Sequence, residues 1–435
     1  MSVTEALEYV NENDVKFIRL AFCDIFGVQK NISIMPNALP RAFEFGIPFN
    51  ATMLGGVSFQ TELSLFLVPD PKTISVLPWR PKQGRVVRFF CDIKNADGTP
   101  FIGDARNILK QSVKRITDMS YRCFSGADCE FYLFKTNENG EPTFTPYDSA
   151  GYCDIGPFDK CENIRRAICL ALEEMGIVPE CSHHESGFGQ NEIDFSNADP
   201  LTTAEHLITL RSVVKAIAAV NGAFASFLPR PVESLERSSL HLNISLFEKG
   251  QNIFQSAGSQ QSAVVKSFIA GIMNKIDQIT LFLNPLKTSY DWNAPSFSKD
   301  ETFKNWPICW ASDNYSQLIR IPAVPGEYSS MEIRSPDSSC NPYLAFALLL
   351  QAGADGIEEN AIVNEPVNMN RVMMNENDCA GYKMLPSNHL EAVKSAQNSD
   401  FVKRVLPEMI ISAYIKRISG ECLPKDEITG LFEAM

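Results

Sequence analysis

Residues 183–195 read His-His-Glu-Ser-Gly-Phe-Gly-Gln-Asn-Glu-Ile-Asp-Phe, and this stretch constrains the chain more than any other. Gly187 and Gly189 permit backbone bends that a Cβ would forbid, which marks a turn. After it, Asn191, Ile193 and Phe195 alternate with Glu192 and Asp194. That is the period of a strand, so the two acids share one face. Glu185 and Glu192 then converge from either side of the turn. Hard carboxylate oxygens brought together in this way suit Mg²⁺ or Mn²⁺. The alternative is a solvated polar loop leading into an edge strand. The other segments decide between the two.

The same matching of faces recurs along the chain. Residues 127–134 predict a strand with Asp128, Glu130 and Tyr132 on one face. Carboxylates that close repel, and a bound cation offsets the repulsion. Residues 239–246 predict another strand. There Leu240, Leu242, Ile244 and Leu246 face one way, and His241, Asn243 and Ser245 the other. Residues 318–322 and 330–337 add two more, with Glu332 and Arg334 on a common face. A sheet face lined by Asp, Glu, His and Arg is unfavourable as a core, because each buried charge must be paired or neutralised. A concave polar surface around divalent ions resolves that cost. Arg320 and Arg334 supply fixed positive charge of the kind that clamps phosphate. Acids for metals with arginines opposite suit phosphoryl transfer. No Walker-type glycine loop is present, so a nucleotide would be held by metals and arginines.

Upstream, residues 3–13 predict a helix, 15–22 and 28–34 a hairpin, and 63–69 and 85–93 two further strands. A small, mostly β domain therefore ends near residue 100, and a larger domain occupies 104–435. Asp104 caps a helix to about Met119. Further helices are predicted over 163–175, 203–220, 262–282 and from Pro342 to about Gly353, while 286–317 reads as loop. A length of 435 residues exceeds one ordinary core. The net charge of −13 argues against a nucleic-acid surface. No run of about 18 apolar residues is present to span a membrane. The twelve cysteines form no CxxC pair, which disfavours structural zinc. Free thiols behind a polar, acidic N-terminus point to a reducing cytoplasm.

Taken together, these segments resemble the glutamine synthetase family, bacterial type, over nearly the whole chain. The resemblance is carried by Phe22-Cys23-Asp24-Ile25-Phe26-Gly27, Asp104-Ala105-Arg106, Glu130-Phe131, residues 183–192, Leu228-Pro229-Arg230-Pro231, His241 with Ser245, residues 319–322, 332–337 and 341–344. It implies an α+β fold: an N-terminal β-grasp domain followed by a catalytic domain with a curved antiparallel sheet flanked by helices. It also implies a homododecamer with active sites between neighbouring subunits, and ATP- and Mg- (or Mn-) dependent ligation of glutamate to an amine through an acyl phosphate.

By resemblance, Glu130, Glu185 and Glu192 ligate one metal and His241 and Glu332 a second, with Asp128 standing where the family has Glu. Arg320, Asn243 and Ser245 are expected at the nucleotide. Arg334, Tyr152, Asn50 and Trp292 are expected at the substrates, and Glu185, Arg320 and Arg334 in catalysis. The departures are as informative. The family's ammonium-binding acid falls on Asn50 and its neighbouring serine on Met53. The glutamate-gripping Asn-Gly falls on Glu236-Arg237. Family arginines fall on Trp292, Tyr315 and Ser330. A neutral amide is no general base near neutral pH, and the added aromatic groups favour a larger, less polar amine. Three readings follow: ligation of an amine other than ammonia, ordinary glutamine synthesis, or a catalytically inactive relative.

Overall fold

The computed structural model describes residues 1–55, 63–80, 83–255, 261–290, 306–322, 329–370, 374 and 376–418. The N-terminal part is built on β1 (Val15–Cys23), β2 (Gln29–Ile34), β3 (Ile47–Asn50), β4 (Ser64–Pro69), β5 (Ser75–Val76) and β6 (Arg85–Lys94). Their order is β2-β1-β6-β4-β3, with β5 on β6. β1 and β6 run parallel, the other pairs antiparallel. The helix Val3–Glu12 opens on a capping box at Ser2 and Glu5, which satisfies two of its orphan N–H groups. This is the expected β-grasp arrangement. Ile18 and Leu20 of β1 pack with Val87 and Phe89 of β6 in a small core of their own.

The second sheet comprises β7 (Tyr121–Thr136), β8 (Pro142–Pro146), β9 (Pro179–His184), β10 (Gln190–Ala198), β11 (Ala223–Ser226), β12 (Leu240–Glu248), β13 (Gln251–Asn252), β14 (Trp310–Ser312), β15 (Ile319–Ile321) and β16 (Met331–Ile333). Its main path is β14-β15-β16-β12-β7-β10-β9. All pairs are antiparallel except β14–β15. One face is apolar: Ala127, Cys129, Phe131 and Leu133 of β7 lie with Leu240, Leu242 and Ile244 of β12 and Ile193 and Phe195 of β10. Helices Ala105–Asp118, Pro200–Val220, Ala263–Leu283 and Pro342–Glu358 cover that face and add Leu109, Ile208, Phe268 and Leu348 to one continuous core. Period-2 alternation then sends every intervening side chain to the opposite, open face. The helices Ala263–Leu283 and Pro342–Glu358 cross at Gly271 and Gly356. A Cβ on Gly271 would lie 2.3 Å from the Ala352 carbonyl oxygen, so only glycine allows this approach.

An ion network joins the two parts. Arg106, the first-turn residue of a helix capped by Asp104, pairs with Asp70 (2.8 Å) and Asp92 from the N-terminal part and with Glu205 (2.8 Å) from the helix Pro200–Val220. Of the loop expected over 286–317, residues 291–305 lie outside the described residues, and the expectation is corrected at β14, which pairs with β15. The strand expected over 330–337 is confined to Met331–Ile333.

Candidate active site

The register of the second sheet assembles the polar face row by row. Glu192 on β10 sits opposite Glu130 on β7 and opposite His183 on β9. Asp194 sits opposite Asp128, which also faces His241 on β12. Glu332 on β16 faces Asn243 on one side and Arg320 on the other. Residues from six strands therefore meet on one surface, and two groups form. Ligand atoms of His183, Glu185 and Glu192 lie within 4.8 Å of one another, and so do those of Asp128, His241 and Glu332.

The turn carrying Glu185 is tightly built. The Glu185 N–H donates to the Gln190 carbonyl (2.9 Å), and the Gln190 N–H to that of Gly187 (2.9 Å). Gly189 adopts φ +72°, and a Cβ there would lie 2.6 Å from the Leu133 carbonyl oxygen. His183 Nε2 meets a Glu185 carboxylate oxygen at 2.9 Å, and the Ser186 N–H donates to the other at 3.0 Å. Glu130 accepts from Gln190 Nε2 (2.7 Å) and the Ser239 N–H (2.8 Å). Behind the turn, His184 is fully buried. Its Nε2 meets Asp148 Oδ1 at 2.9 Å and its Nδ1 the Glu185 carbonyl oxygen at 2.7 Å. Both ring nitrogens face acceptors, so both donate. Burial lowers the His184 pKa, but these two bonds outweigh it and raise the group above its usual value. Asp148 also accepts from the N–H groups of Gly189 (3.0 Å) and Lys160 (2.9 Å), so one carboxylate ties down both ends of the turn.

The electrostatics favour cations. Burial, then the charge of Glu185, pushes the Glu130 carboxyl up to about 8. Burial and the charges of Glu130, Asp194 and Asp128 push Glu192 higher still. Burial with Asp194 and Glu332 raises Asp128 well above the usual carboxylate range, and burial takes Asp194 to about 6. Asp194 Oδ1 is buried with no hydrogen-bond partner. Crowded acids with an orphaned oxygen fit divalent ions, and carboxylate oxygens with a single imidazole per group suit Mg²⁺ or Mn²⁺. Burial and Arg334 lower His241 to about 4, leaving a neutral imidazole able to ligate. Burial works to raise Glu332, but the charges of Arg334 and Arg320 outweigh it and lower the group. Arg320 Nη1 donates to Glu332 at 2.9 Å, and Arg334 pairs with the same carboxylate. The Nε groups of Arg320 and Arg334 are buried without acceptors, and the Arg320 guanidinium lies 3.4 Å over the Tyr315 ring.

Comparison with known proteins bears on this surface directly. The glutamine synthetase catalytic domain matches residues 102–425, and the glutamine synthetase beta-Grasp domain matches residues 14–96. The chain belongs to the glutamine synthetase family. Glutamine synthetase of Clostridium saccharobutylicum is 40% identical over 421 residues, covering 96% of this chain and 94% of that one. The Methanosarcina mazei enzyme is 39% identical over 415 residues, covering 94% and 92%. Among solved structures, a GmaS/ADP complex superposes with a TM-score of 0.85 at 25% identity, covering 98% and 99% of the two chains. Apo GmaS without ligand shares the fold, with a TM-score of 0.84 at 24% identity and 97% coverage of both. As a glutamine-synthetase-type protein, the chain is an ATP-dependent ligase acting on small molecules, in a family that uses ATP and a divalent metal.

The expected metal residues Asp128, Glu130, Glu185, Glu192, His241 and Glu332 all lie on this surface, with Arg320 and Arg334 beside them. Asn243 is turned to Asp128, its Nδ2 donating at 3.1 Å, and Ser245 is buried with its hydroxyl toward the Phe124 carbonyl (3.4 Å). Tyr152 is exposed and packs edge-on against His183, with ring centroids 5.4 Å apart. Asn50 is placed elsewhere in the chain. It ends the edge strand β3 of the N-terminal sheet and accepts from the Thr52 N–H (3.0 Å). Trp292 lies outside the described residues. The backbone of Glu236-Arg237 is lashed to the site, since Tyr132 Oη donates to the Glu236 carbonyl (2.7 Å) and Gln190 Nε2 to that of Arg237 (3.0 Å).

Four contributors lay outside the expected set: His183, Asp194, Asp148 and Tyr315. Asp194 was signalled by its alternation with Glu192, and His183 by its position beside Glu185. Asp148 sits in a loop 36 residues from His184, and no local pattern marks it. Among the described residues no helix is long and apolar enough to cross a membrane, and the described cysteines are free thiols.

Proposed function

We propose that this ligase joins the γ-carboxylate of glutamate to an amine other than ammonia. The observation carrying the reading is a contrast between the catalytic surface and one position of the N-terminal sheet. The acid and imidazole groups are complete, whereas the position resembling the family's ammonium-binding acid is the neutral Asn50. GmaS, a γ-glutamylmethylamide synthetase, is a structural neighbour at 25% identity, which supports the same choice. In this reading a γ-carboxylate oxygen of glutamate attacks the terminal phosphorus of ATP. ADP leaves and an acyl phosphate forms. The amine nitrogen then attacks the acyl carbon, and phosphate departs.

Glu130, Glu185 and Glu192 would hold one divalent ion, and His241 and Glu332, with Asp128, a second. Such ions, Mg²⁺ or Mn²⁺, neutralise the polyphosphate and the charge developing on the transferred group. Arg320 and Arg334 hold phosphate and carboxylate oxygens through buried donors that have no acceptor in the protein. Tyr152 and His183 form an aromatic wall for an alkylammonium group, whose cation is attracted to a ring face. Asn50 would reach such a site only from a second copy, in keeping with a homododecamer.

Ordinary glutamine synthesis is the second reading, favoured by the 40% identity to a glutamine synthetase. Phosphate release with ATP, Mn²⁺, glutamate and a panel of amines separates the two. We expect kcat/KM for methylamine or a larger alkylamine to exceed that for ammonia at least tenfold, and Asn50→Asp to narrow the gap. Equal or better use of ammonia overturns the reading. ATP turnover with none of the amines makes the chain an inactive relative.

A further inference from the structure

A third group of metal-competent side chains lies behind the turn that carries Glu185. One donor atom each from Asp148, Asp159, Cys161 and His184 lies within 4.8 Å of the others. All four residues are buried, Cys161 and His184 completely. Acids on a protein surface gather without consequence, but two carboxylates, a thiol and an imidazole shut away from water must be neutralised together. The lack of a CxxC pair excludes a paired-thiolate zinc site. It does not exclude a site in which the fold brings one thiolate to nitrogen and oxygen donors.

Each donor is held from behind. The His184 Nδ1–H donates to the Glu185 carbonyl oxygen (2.7 Å) and so turns Nε2 inward, the bond by which ligating imidazoles are commonly oriented. Asp159 accepts from Arg165 Nη1 (3.2 Å) and Nη2 (2.5 Å) and from the Cys161 N–H (2.9 Å). Asp148 Oδ2 accepts from the Lys160 N–H (2.9 Å), while its Oδ1 faces His184 Nε2 at 2.9 Å. Cys161 stands at the N-cap of the helix Glu162–Glu174, a position that favours Ser, Thr, Asp or Asn, yet its side chain caps nothing. The sulfur is turned to Asp148 and Asn191 instead. The positive end of the helix dipole at that position favours a thiolate. Four-coordinate zinc, with bonds of about 2.0–2.3 Å, sets its ligand atoms about 3.3–3.7 Å apart, so the donors need to part or close by about 1 Å or less.

We propose that Asp148, Asp159, Cys161 and His184 hold a structural Zn²⁺ ion, apart from the catalytic cations. Binding forms one bond to nitrogen, one to sulfur and two to oxygen, and releases two protons, one from His184 Nε2 and one from the Cys161 thiol. The charges then balance: two carboxylates and a thiolate against Zn²⁺ and the Arg165 guanidinium. The positions of the ligands give the ion its role. Asp148 and the pair Asp159 and Cys161 stand at the two ends of the 149–158 loop, which carries Tyr152, and His184 immediately precedes Glu185. One ion closes the neck of that loop against the turn.

The test puts Co²⁺ in place of zinc, because a cobalt–thiolate bond absorbs strongly in the near ultraviolet and bonds to oxygen or nitrogen give no such band. The two catalytic groups contain no cysteine, so the band reports this site. The exposed Cys153 and Cys181, the latter with its sulfur 3.8 Å from His183 Nδ1, are removed by using the full chain with Cys153→Ser and Cys181→Ser. Excess Mg²⁺ is present throughout to fill the carboxylate-rich catalytic groups. We expect the band to appear on adding Co²⁺, to saturate at one thiolate-bound cobalt per chain, and to vanish when Zn²⁺ displaces it. Cys161→Ser in the same background should abolish it. Should Cys161→Ser fail to fold, X-ray absorption of the zinc-loaded background protein decides, with one sulfur expected at about 2.3 Å and the remaining ligands at about 2.0 Å. Absence of the band, a band that survives Cys161→Ser, or a zinc shell without sulfur overturns the proposal.

Discussion

Metal binding at this site must displace protons, and the geometry sets how many. Ligand carboxylates have to be ionised. In the metal-free protein, burial and mutual repulsion hold Glu130 at about 8 and Glu192 above it, so both carry a proton at pH 7. Glu185, in contrast, is held ionised. Burial works to raise it, but the hydrogen bonds from His183 and Ser186 outweigh that. An ion taking all three acids therefore releases about two protons at neutral pH. Each proton released makes the apparent affinity about tenfold stronger per pH unit, so two give about a hundredfold between pH 6 and 7. Stability runs the other way. These carboxyls have folded pKa values raised above their unfolded ones. Their contribution is complete below about pH 4.5 and is lost as pH rises through 8. The metal-free protein should melt at falling temperature from pH 5 to 8, and Mn²⁺ should restore it increasingly over the same range. Calorimetric titration with Mn²⁺ in buffers of different protonation enthalpy counts the protons directly. Glu192→Gln, which has no proton to release, should bring the count to about one. No proton release at pH 7, or a count unchanged in Glu192→Gln, refutes the reasoning.

Other outcomes follow from single contacts. Asp148→Asn breaks the carboxylate that orients His184 and the Glu185 turn, and Mn²⁺ affinity should drop about 10–100-fold with little change in the far-ultraviolet circular dichroism spectrum. Tyr315→Ala removes the ring beneath Arg320, and KM for ATP should rise about fivefold, near 1 kcal/mol, with kcat largely kept. An unchanged KM would mean that Arg320 needs no such support. Gly189→Ala forces a Cβ onto the Leu133 carbonyl at φ +72°, and should destabilise by about 1–3 kcal/mol in a chemical denaturation curve.

How much of this was legible depended on whether a local period carried the signal. The strict alternations over 127–134, 190–195 and 239–246 placed Asp128, Glu130, Glu192 and His241 on one face, and the register agrees. β9 was not legible, because Pro179-Glu180-Cys181-Ser182 has no apolar alternation. It is a partly exposed strand at the end of the sheet path, and its pairing with β10 defines it. The strand expected to run to Asp337 stops at Ile333, before Ser335-Pro336, where proline can donate nothing to a ladder. β14 was hidden in an aromatic-rich stretch that reads as loop. The buried Asp148–His184 contact joins residues far apart in sequence, and only the fold brings them together. Tyr315 could be seen as a departure, but not that the guanidinium of Arg320 would lie over its ring.

β7 runs for sixteen residues through the middle of the catalytic sheet, and it carries Asp128 of one cluster and Glu130, which sits opposite Glu192 of the other. Two residues along one strand span roughly 6.6 Å. The spacing of the two clusters is thereby written into covalent backbone, not into any adjustable loop. Mutation can reshape the surroundings at Tyr315 or at the Glu236-Arg237 segment without moving those two carboxylates along the strand. On the proposed reading, the phosphorylating half of the reaction is insulated from that drift, so a lineage can change the amine without reinventing how the acid is activated.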